Sequence, residues 1–136
     1  MMSLAYKVNA LPETVTTGEL AAYFREVLTQ LNLDSIESKQ LFVEIVFELA
    51  DKQWHNYEQM DAGLKQDVDK ATMSILLGQL SLDLVSAISG IIGRLGLCES
   101  YQKYKVLASD QSLPTDIRRE INNTISEFGE SVDNSY

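Results

Sequence analysis

The sequence predicts an all-α protein built from three stacked helical hairpins. Only two prolines and seven glycines interrupt its 136 residues. In the long stretches between them, apolar residues recur at intervals of three and four, which is the period of an amphipathic helix. We find no stretch with the alternation of apolar and polar residues that a half-buried strand requires. An internal repeat then indicates how the helices pair.

The repeat covers residues 80–96, LSLDLVSAISGIIGRLG, and residues 113–129, LPTDIRREINNTISEFG, which align without a gap. Both segments have leucine at the first position, aspartate at the fourth and glycine at the last. An acidic residue in the first turn and a glycine at the C-cap are typical of the start and the end of a helix, so each segment is predicted to be one helix. A similar start occurs at residues 31–34, LNLD. Each of the three segments is predicted to introduce the second helix of a hairpin.

The first hairpin has two recognisable start signals. Thr16-x-x-Glu19 is a capping-box pattern, and a strongly periodic apolar stretch follows it. Asp34-x-x-Glu37 repeats the signal, and the helix after it is apolar around most of its circumference. The second helix should therefore lie at the centre of the fold. These two helices are predicted at 18–32 and 36–52.

The remaining helices follow a polar stretch, QWHNYEQMDAG, at residues 53–63. Leu64 and Val68 are spaced at the helical period at the start of the third helix. Pro114 suits the first turn of the sixth helix, because a backbone N–H at that position has no hydrogen-bond partner within the helix. The helices are predicted at 64–79, 82–95, 99–108 and 114–128. The resulting single domain spans 18–129, with an N-terminal extension at 1–17 and a frayed tail at 130–136.

Charge and composition narrow the classes of partner. The net charge is −9, with 20 acidic and 11 basic residues. Nucleic acids and anionic membranes require a basic face, so both are disfavoured as partners, and a basic protein is favoured. The longest weakly polar run, residues 84–97, is too short to span a bilayer. The N-terminus lacks the features of a signal peptide, and a single cysteine, Cys98, suits a reducing compartment, so we expect a cytoplasmic protein.

The last unit, YKVLASDQSLPTDIRREINNTISEFG at 104–129, resembles the HEAT-repeat pattern. The resemblance implies an α-solenoid that serves as a scaffold for binding proteins or peptides, without a catalytic activity. In such stacks the second helices line the concave surface on which partners dock. Ile121 and Thr124 stand where small alanines are usual, and a compact six-helix bundle is the alternative. The shared features are Leu107 before a turn containing Asp110, Ile117-Arg118 at the start of the second helix, and Gly129 after Phe128.

Two polar stripes are the candidate partner-binding residues. Four side chains of the second helix fall within a narrow stripe at the helical period, Glu37 extends it, and the sixth helix has a similar stripe. If these second helices line one surface, that surface is acidic and would attract a basic protein. The stripes are Glu37, Glu44, Glu48, Asp51 and His55 on the second helix, and Asp116, Glu120, Asn123 and Glu127 on the sixth.

The same residues leave other interpretations open. A stripe running about 16 Å along one helix is too long for a single metal ion, so no metal, cofactor or catalytic residue is predicted. A divalent-metal enzyme with a carboxylate site on the second helix is the alternative, and it would need further ligands such as Asp67, Asp69 or Asp83. The stripes could also be solvated surface, and the protein could be a structural adaptor or a self-associating subunit.

Small and aromatic residues predict two further packing features. Gly90-x-x-Gly93 lacks the strand and lysine of a nucleotide-binding loop, so close packing against a neighbouring helix is favoured. Trp54 and Tyr57, near the end of the second helix, favour an aromatic cap over the core. The leading hypothesis is a non-enzymatic protein-binding module, and within that class an immunity or inhibitor protein that neutralises a basic toxin.

Overall fold

The computed structural model describes residues 3–132, and this part of the chain contains seven helices and no strand. The all-α prediction is confirmed. None of the helices there combines the length and the apolar character needed to cross a membrane. The helices are α1 (Leu4–Asn9), α2 (Thr17–Gln30), α3 (Ile36–Asn56), α4 (Ala62–Leu76), α5 (Leu82–Leu95), α6 (Cys98–Leu107) and α7 (Thr115–Phe128).

Helix α1 lies in the stretch that was expected to be an extension, and within residues 3–132 it adds one helix to the six predicted. Its N-cap is Ser3, whose hydroxyl accepts from the Tyr6 amide at 3.2 Å. Leu4 and Val8, one turn apart, are buried, and α1 packs on α3. Burial against α3 can stabilise a helix of only six residues, which would be unstable alone. At the other end Val132 is also buried, while residues 133–136 of the predicted tail lie outside the described residues.

The start signals were correct for α2 and shifted by one residue for α3. The Thr16 hydroxyl accepts from the Glu19 amide at 3.2 Å, as the capping box predicted. At α3 the cap is Ser35 rather than Asp34, and its hydroxyl accepts from the Ser38 amide at 3.1 Å. The helix also runs past its predicted end, to Asn56.

Two side chains from the stretch that was predicted to be polar and irregular explain why α3 is longer. The Asn56 amide donates to the Val15 carbonyl at 2.9 Å, and the buried Gln53 accepts from the Thr17 hydroxyl at 3.0 Å. Tyr57 then ends the helix in the left-handed conformation, with φ of 58°. The last turn of α3 is therefore fixed against the start of α2.

Helices α3, α5 and α7 form one row of parallel neighbours. Between α3 and α5, Phe47 lies on Gly90 and Asp51 pairs with Arg94, so both contacts join residues 43 positions apart. Between α5 and α7, the Thr124 hydroxyl donates a hydrogen bond to Ser89, and the Phe128 ring lies on Gly93. The two residues of each contact are 35 positions apart. A constant offset means that the paired helices run in the same direction, and α1 extends the row beside α3.

Helices α2, α4 and α6 form a second row, in which α4 lies between the other two. The two helices of the first predicted hairpin, α2 and α3, pack on each other, and so do the two helices of the last, α6 and α7. The middle pair differs, because α4 has its main contacts with α2 and α6, and α5 has its main contacts with α3 and α7. The core between the helices includes the fully buried aromatic side chains of Phe24, Phe42, Tyr101 and Tyr104.

Asp69 joins α4 to α6 and accounts for part of this packing. Helix α6 has no side-chain cap of its own, since Leu97 occupies its N-cap position. The Asp69 carboxylate accepts from the amides of Glu99 and Ser100, each at 2.9 Å, and from the Ser100 hydroxyl at 2.6 Å. Asp69 is one of the carboxylates that the metal-enzyme alternative would need as a further ligand. Its carboxylate instead satisfies the N–H groups that α6 leaves unpaired at its start.

The glycines of α5 permit close packing, as predicted. A Cβ atom at Gly90 would lie 3.0 Å from Cδ2 of the Phe47 ring, and one at Gly93 would lie 2.5 Å from Cζ of Phe128. Both rings thus pack directly on the α5 backbone. Gly96 has a different role, because it ends α5 in the left-handed conformation with φ of 69°.

Candidate partner-binding surface

Two adjoining clefts lie along the row of parallel helices. The α1–α3–α5 cleft has a volume of about 530 Å³ and includes Glu44, Glu48 and Ser86 in its lining. The α3–α5–α7 cleft has a volume of about 510 Å³ and includes Ser86, Glu120 and Glu127. Because Ser86 lines both, the clefts form one continuous surface across α5.

The α1–α3–α5 cleft combines an apolar lining with two carboxylates. Leu41, Ile45 and Phe47 contribute its apolar atoms from α3. Glu44 is exposed and accepts from the Gln40 side-chain amide at 3.1 Å, whereas Glu48 is half-buried. This combination suits a segment that has both apolar and basic side chains.

The α3–α5–α7 cleft is more polar and has aromatic groups in its lining. Trp54 reaches it from the end of α3, and Phe128 from the end of α7. Glu120 and Glu127 lie two turns apart on the same face of α7, so their Cα atoms are about 10 Å apart. The backbone at Gly90 and Gly93 lines the cleft on the α5 side.

Arg94 is the cation in the lining of this second cleft, and the protein itself neutralises it. Its Nε donates to Asp51 Oδ1 at 3.0 Å, and its guanidinium carbon lies 4.7 Å from the centroid of the Phe47 ring. Asp51, a predicted binding residue, thus already has a cationic partner within the chain.

The other acidic groups of the two clefts are not neutralised in this way. Within residues 3–132, no ion pair involves any of the four cleft glutamates. The two clefts therefore carry a net negative charge, which comes from Glu44, Glu48, Glu120 and Glu127.

The other predicted stripe residues lie elsewhere. Asp51 and His55 line a separate cleft near Glu13 and Lys52, where His55 Nδ1 is 2.7 Å from the Asp51 carbonyl oxygen. Glu37, Asp116 and Asn123 are exposed and line none of these clefts. Each predicted stripe thus has some residues that line the two adjoining clefts and others that do not. Among residues 3–132, no three His, Cys, Asp or Glu side chains are grouped so that they could hold a metal ion.

A hydroxyl network at the second cleft was not predicted from the sequence. The Ser89 and Tyr104 hydroxyl oxygens are 2.8 Å apart, the Thr124 hydroxyl donates to Ser89 at 3.0 Å, and Tyr104 donates to the Val85 carbonyl at 3.0 Å. It joins α5, α6 and α7 through residues that are far apart in the sequence.

The buried tyrosine of this network predicts a loss of stability at alkaline pH. Burial raises the pKa of Tyr104, with an added effect from the negative charge of Glu120, although the Ser89 hydrogen bond acts in the opposite direction. Because the folded pKa exceeds the unfolded value near 10, the stabilising effect is complete below pH 10 and is lost as the pH rises. Above pH 10, the free energy of unfolding of wild type should fall about 1.4 kcal/mol per pH unit more steeply than that of Tyr104→Phe.

Denaturant titrations from pH 8 to 11.5 would measure this difference between the two proteins. Comparing them at each pH cancels the titration of the exposed lysines and tyrosines, which both share. Parallel pH profiles would show that Tyr104 ionises as easily in the folded chain as in the unfolded chain, and would contradict the prediction.

Comparison of this chain with protein-family models, curated protein sequences and solved structures finds no match.

Proposed function

We propose that this protein is a non-enzymatic binding module that holds a basic protein on the surface formed by α3, α5 and α7. The observation that supports the proposal most strongly is the pair of adjoining clefts whose four glutamates have no cationic partner within the described chain. Carboxylates arranged in this way attract a cationic surface over a distance and accelerate its association. The parallel row of helices supports a scaffold of the HEAT-like kind.

The distribution of charge outside the clefts agrees with this proposal. Every lysine and arginine of the chain lies within a helix, whereas the connections between the helices carry only acidic charges. A basic partner therefore meets no basic connection, and the cations near the row are those of the helices themselves, such as Lys52 on α3 and Arg119 on α7. The acidic residues of the described connections are Glu13, Asp34, Glu58, Asp61 and Asp110, with Glu130 following α7.

The narrower form of the proposal is an inhibitor or immunity protein that neutralises a basic toxin. A small domain with a net charge of −9 supports this form, because it can cover a basic surface by charge complementarity. The two acidic clefts are separated by α5, so their charges lie about 20 Å apart across the row. That separation is within the width of an ordinary protein interface.

Affinity capture with charge variants tests the proposal. Wild type at low salt should retain a basic protein from the lysate of the source cells, and Glu44→Lys/Glu48→Lys/Glu120→Lys/Glu127→Lys should release it. The matched control is Asp34→Lys/Asp67→Lys/Glu99→Lys/Glu130→Lys, which reverses four exposed carboxylates outside the two clefts and changes the net charge equally.

The control variant should retain the partner at least tenfold better than the cleft variant. Circular dichroism must show the same helix content for all three proteins. Equal release by both variants would mean that only net charge matters, and equal retention by both would place the interface on another surface. Either result would contradict the proposed site.

A further inference from the structure

We propose that the α3–α5–α7 cleft is the pocket in which an arginine side chain of the basic partner anchors. This inference rests on the proposed function and gives the two clefts different roles. The α1–α3–α5 cleft, with its larger apolar lining, then takes the neighbouring apolar side chains of the partner.

The aromatic groups of the cleft come from opposite sides of the helix row. Trp54 lies on α3 and has 37% of its surface exposed. Phe128 lies on α7, where its ring packs on the backbone of Gly93 and meets the Tyr101 ring edge-on, with the centroids 6.3 Å apart. A ring that is held on two sides in this way presents a fixed surface, and a cation over such a surface is attracted by its π electrons.

Two carboxylates, Glu120 and Glu127, line the same cleft as these rings. Glu120 is half-buried, so its charge is screened less by water than that of the exposed Glu127. Neither forms an ion pair within residues 3–132. The positive charge of Arg94 does not compensate them, since Asp51 and the Gly90 carbonyl already hold its guanidinium, at 3.0 and 3.3 Å.

The same recognition chemistry already occurs within this chain, between α3 and α5. There the Arg94 guanidinium lies on the Phe47 ring while a carboxylate, Asp51, accepts its hydrogen bond. The α3–α5–α7 cleft offers the same types of group, aromatic rings and carboxylates, to a cation from outside.

Arginine fits this pocket better than lysine for two reasons. The guanidinium is planar, so it can stack on an aromatic ring and still donate in its own plane to a carboxylate. It is also more weakly hydrated than an ammonium group, so less hydration is lost when it enters a partly buried site. A buried arginine anchor beside an aromatic side chain is also typical of the residues that dominate interface affinity.

Trp54 is the only tryptophan of the chain and lines this cleft, so tryptophan fluorescence reports on the end of α3 at the cleft. The probe is N-acetyl-arginine amide, titrated at constant ionic strength. N-acetyl-citrulline amide is its uncharged control of the same shape, and N-acetyl-lysine amide tests the choice of cation. We expect a saturable fluorescence change with the arginine probe, at least fivefold weaker binding of the lysine probe and no saturation with citrulline.

Two variants locate the response. Glu120→Gln/Glu127→Gln should weaken binding of the arginine probe at least fivefold. Asp34→Asn/Asp67→Asn removes two exposed carboxylates outside both clefts and should leave it unchanged. Equal binding of citrulline, equal binding of lysine, or a response that survives Glu120→Gln/Glu127→Gln would each overturn the assignment. The titration needs no partner, so its failure is separate from failure of the capture experiment, which tests the proposed function itself.

Discussion

Asp69→Ala is expected to lower the free energy of unfolding by about 3 kcal/mol. The substitution removes the acceptor of three hydrogen bonds and leaves two amides without a partner at the start of α6. The Ser100 hydroxyl then has only the backbone carbonyl of residue 69, at 3.2 Å, as an acceptor. Ser100 is buried and Asp69 is 7% exposed, so water cannot readily replace the lost acceptor. A buried donor without a partner costs more than an ordinary hydrogen bond contributes. Urea denaturation at neutral pH would measure the difference.

Asp67→Ala is the matched control, because Asp67 lies on the same helix and is exposed. It should change the free energy of unfolding by less than about 0.5 kcal/mol. Asp69→Asn should fall between the two, since a side-chain amide retains one acceptor oxygen but loses the negative charge that favours a helix N-terminus. Similar stabilities for Asp69→Ala and Asp67→Ala would show that the α4–α6 contact does not depend on this carboxylate.

Gly90→Ala is expected to destabilise the protein by about 2 kcal/mol, although alanine is the better helix former. The added methyl group would meet two atoms of the Phe47 ring, and the Arg94 guanidinium at 3.2 Å. Phe47 cannot move without disturbing its stacking with Arg94, and with it the Asp51 ion pair that joins α3 to α5. Thermal and urea unfolding would measure the effect.

Gly18→Ala supplies the comparison, because no atom lies within 4 Å of a Cβ atom added there. It should be neutral or stabilising, by up to about 1 kcal/mol. If the cost of Gly90→Ala comes from the Phe47 ring, most of it should disappear in a Phe47→Ala background, where the gain in helix propensity and the contact with the Arg94 guanidinium remain. If Gly90→Ala stabilised the wild-type protein, α3 and α5 would separate easily enough to accept the added methyl group, and the prediction would be contradicted.

Local features of the fold were predictable from the sequence because they depend on residues close together in the chain. The apolar period of three and four identified six of the seven helices within residues 3–132, and the Thr16 cap is present as expected. Helix α1 was missed because it has a single turn of apolar residues, Leu4 and Val8, and its stability comes from burial against α3. A window long enough to show periodicity does not fit within six residues.

Features that join distant residues were not predictable in the same way. Asp69 and Ser100 are 31 positions apart, and nothing in the sequence around either indicates that one helix caps another. The predicted stripes on α3 and α7 depended on helical spacing alone, whereas the neighbours of each side chain depend on how α1 and α5 pack beside α3. Glu44 and Glu48 line one cleft, while Asp51 is held by Arg94 and lies with His55 beside the loop that contains Glu13.

The most direct test of the central claim is the amide hydrogen exchange of the complex with the captured basic protein, compared with that of the free chain. We expect slower exchange on binding in residues 41–48, 86–93 and 120–127, which contribute to the two clefts, and little change along α2 and α4. Slower exchange confined to α2, α4 and α6 would place the partner on the opposite row of helices and would contradict the proposed docking surface.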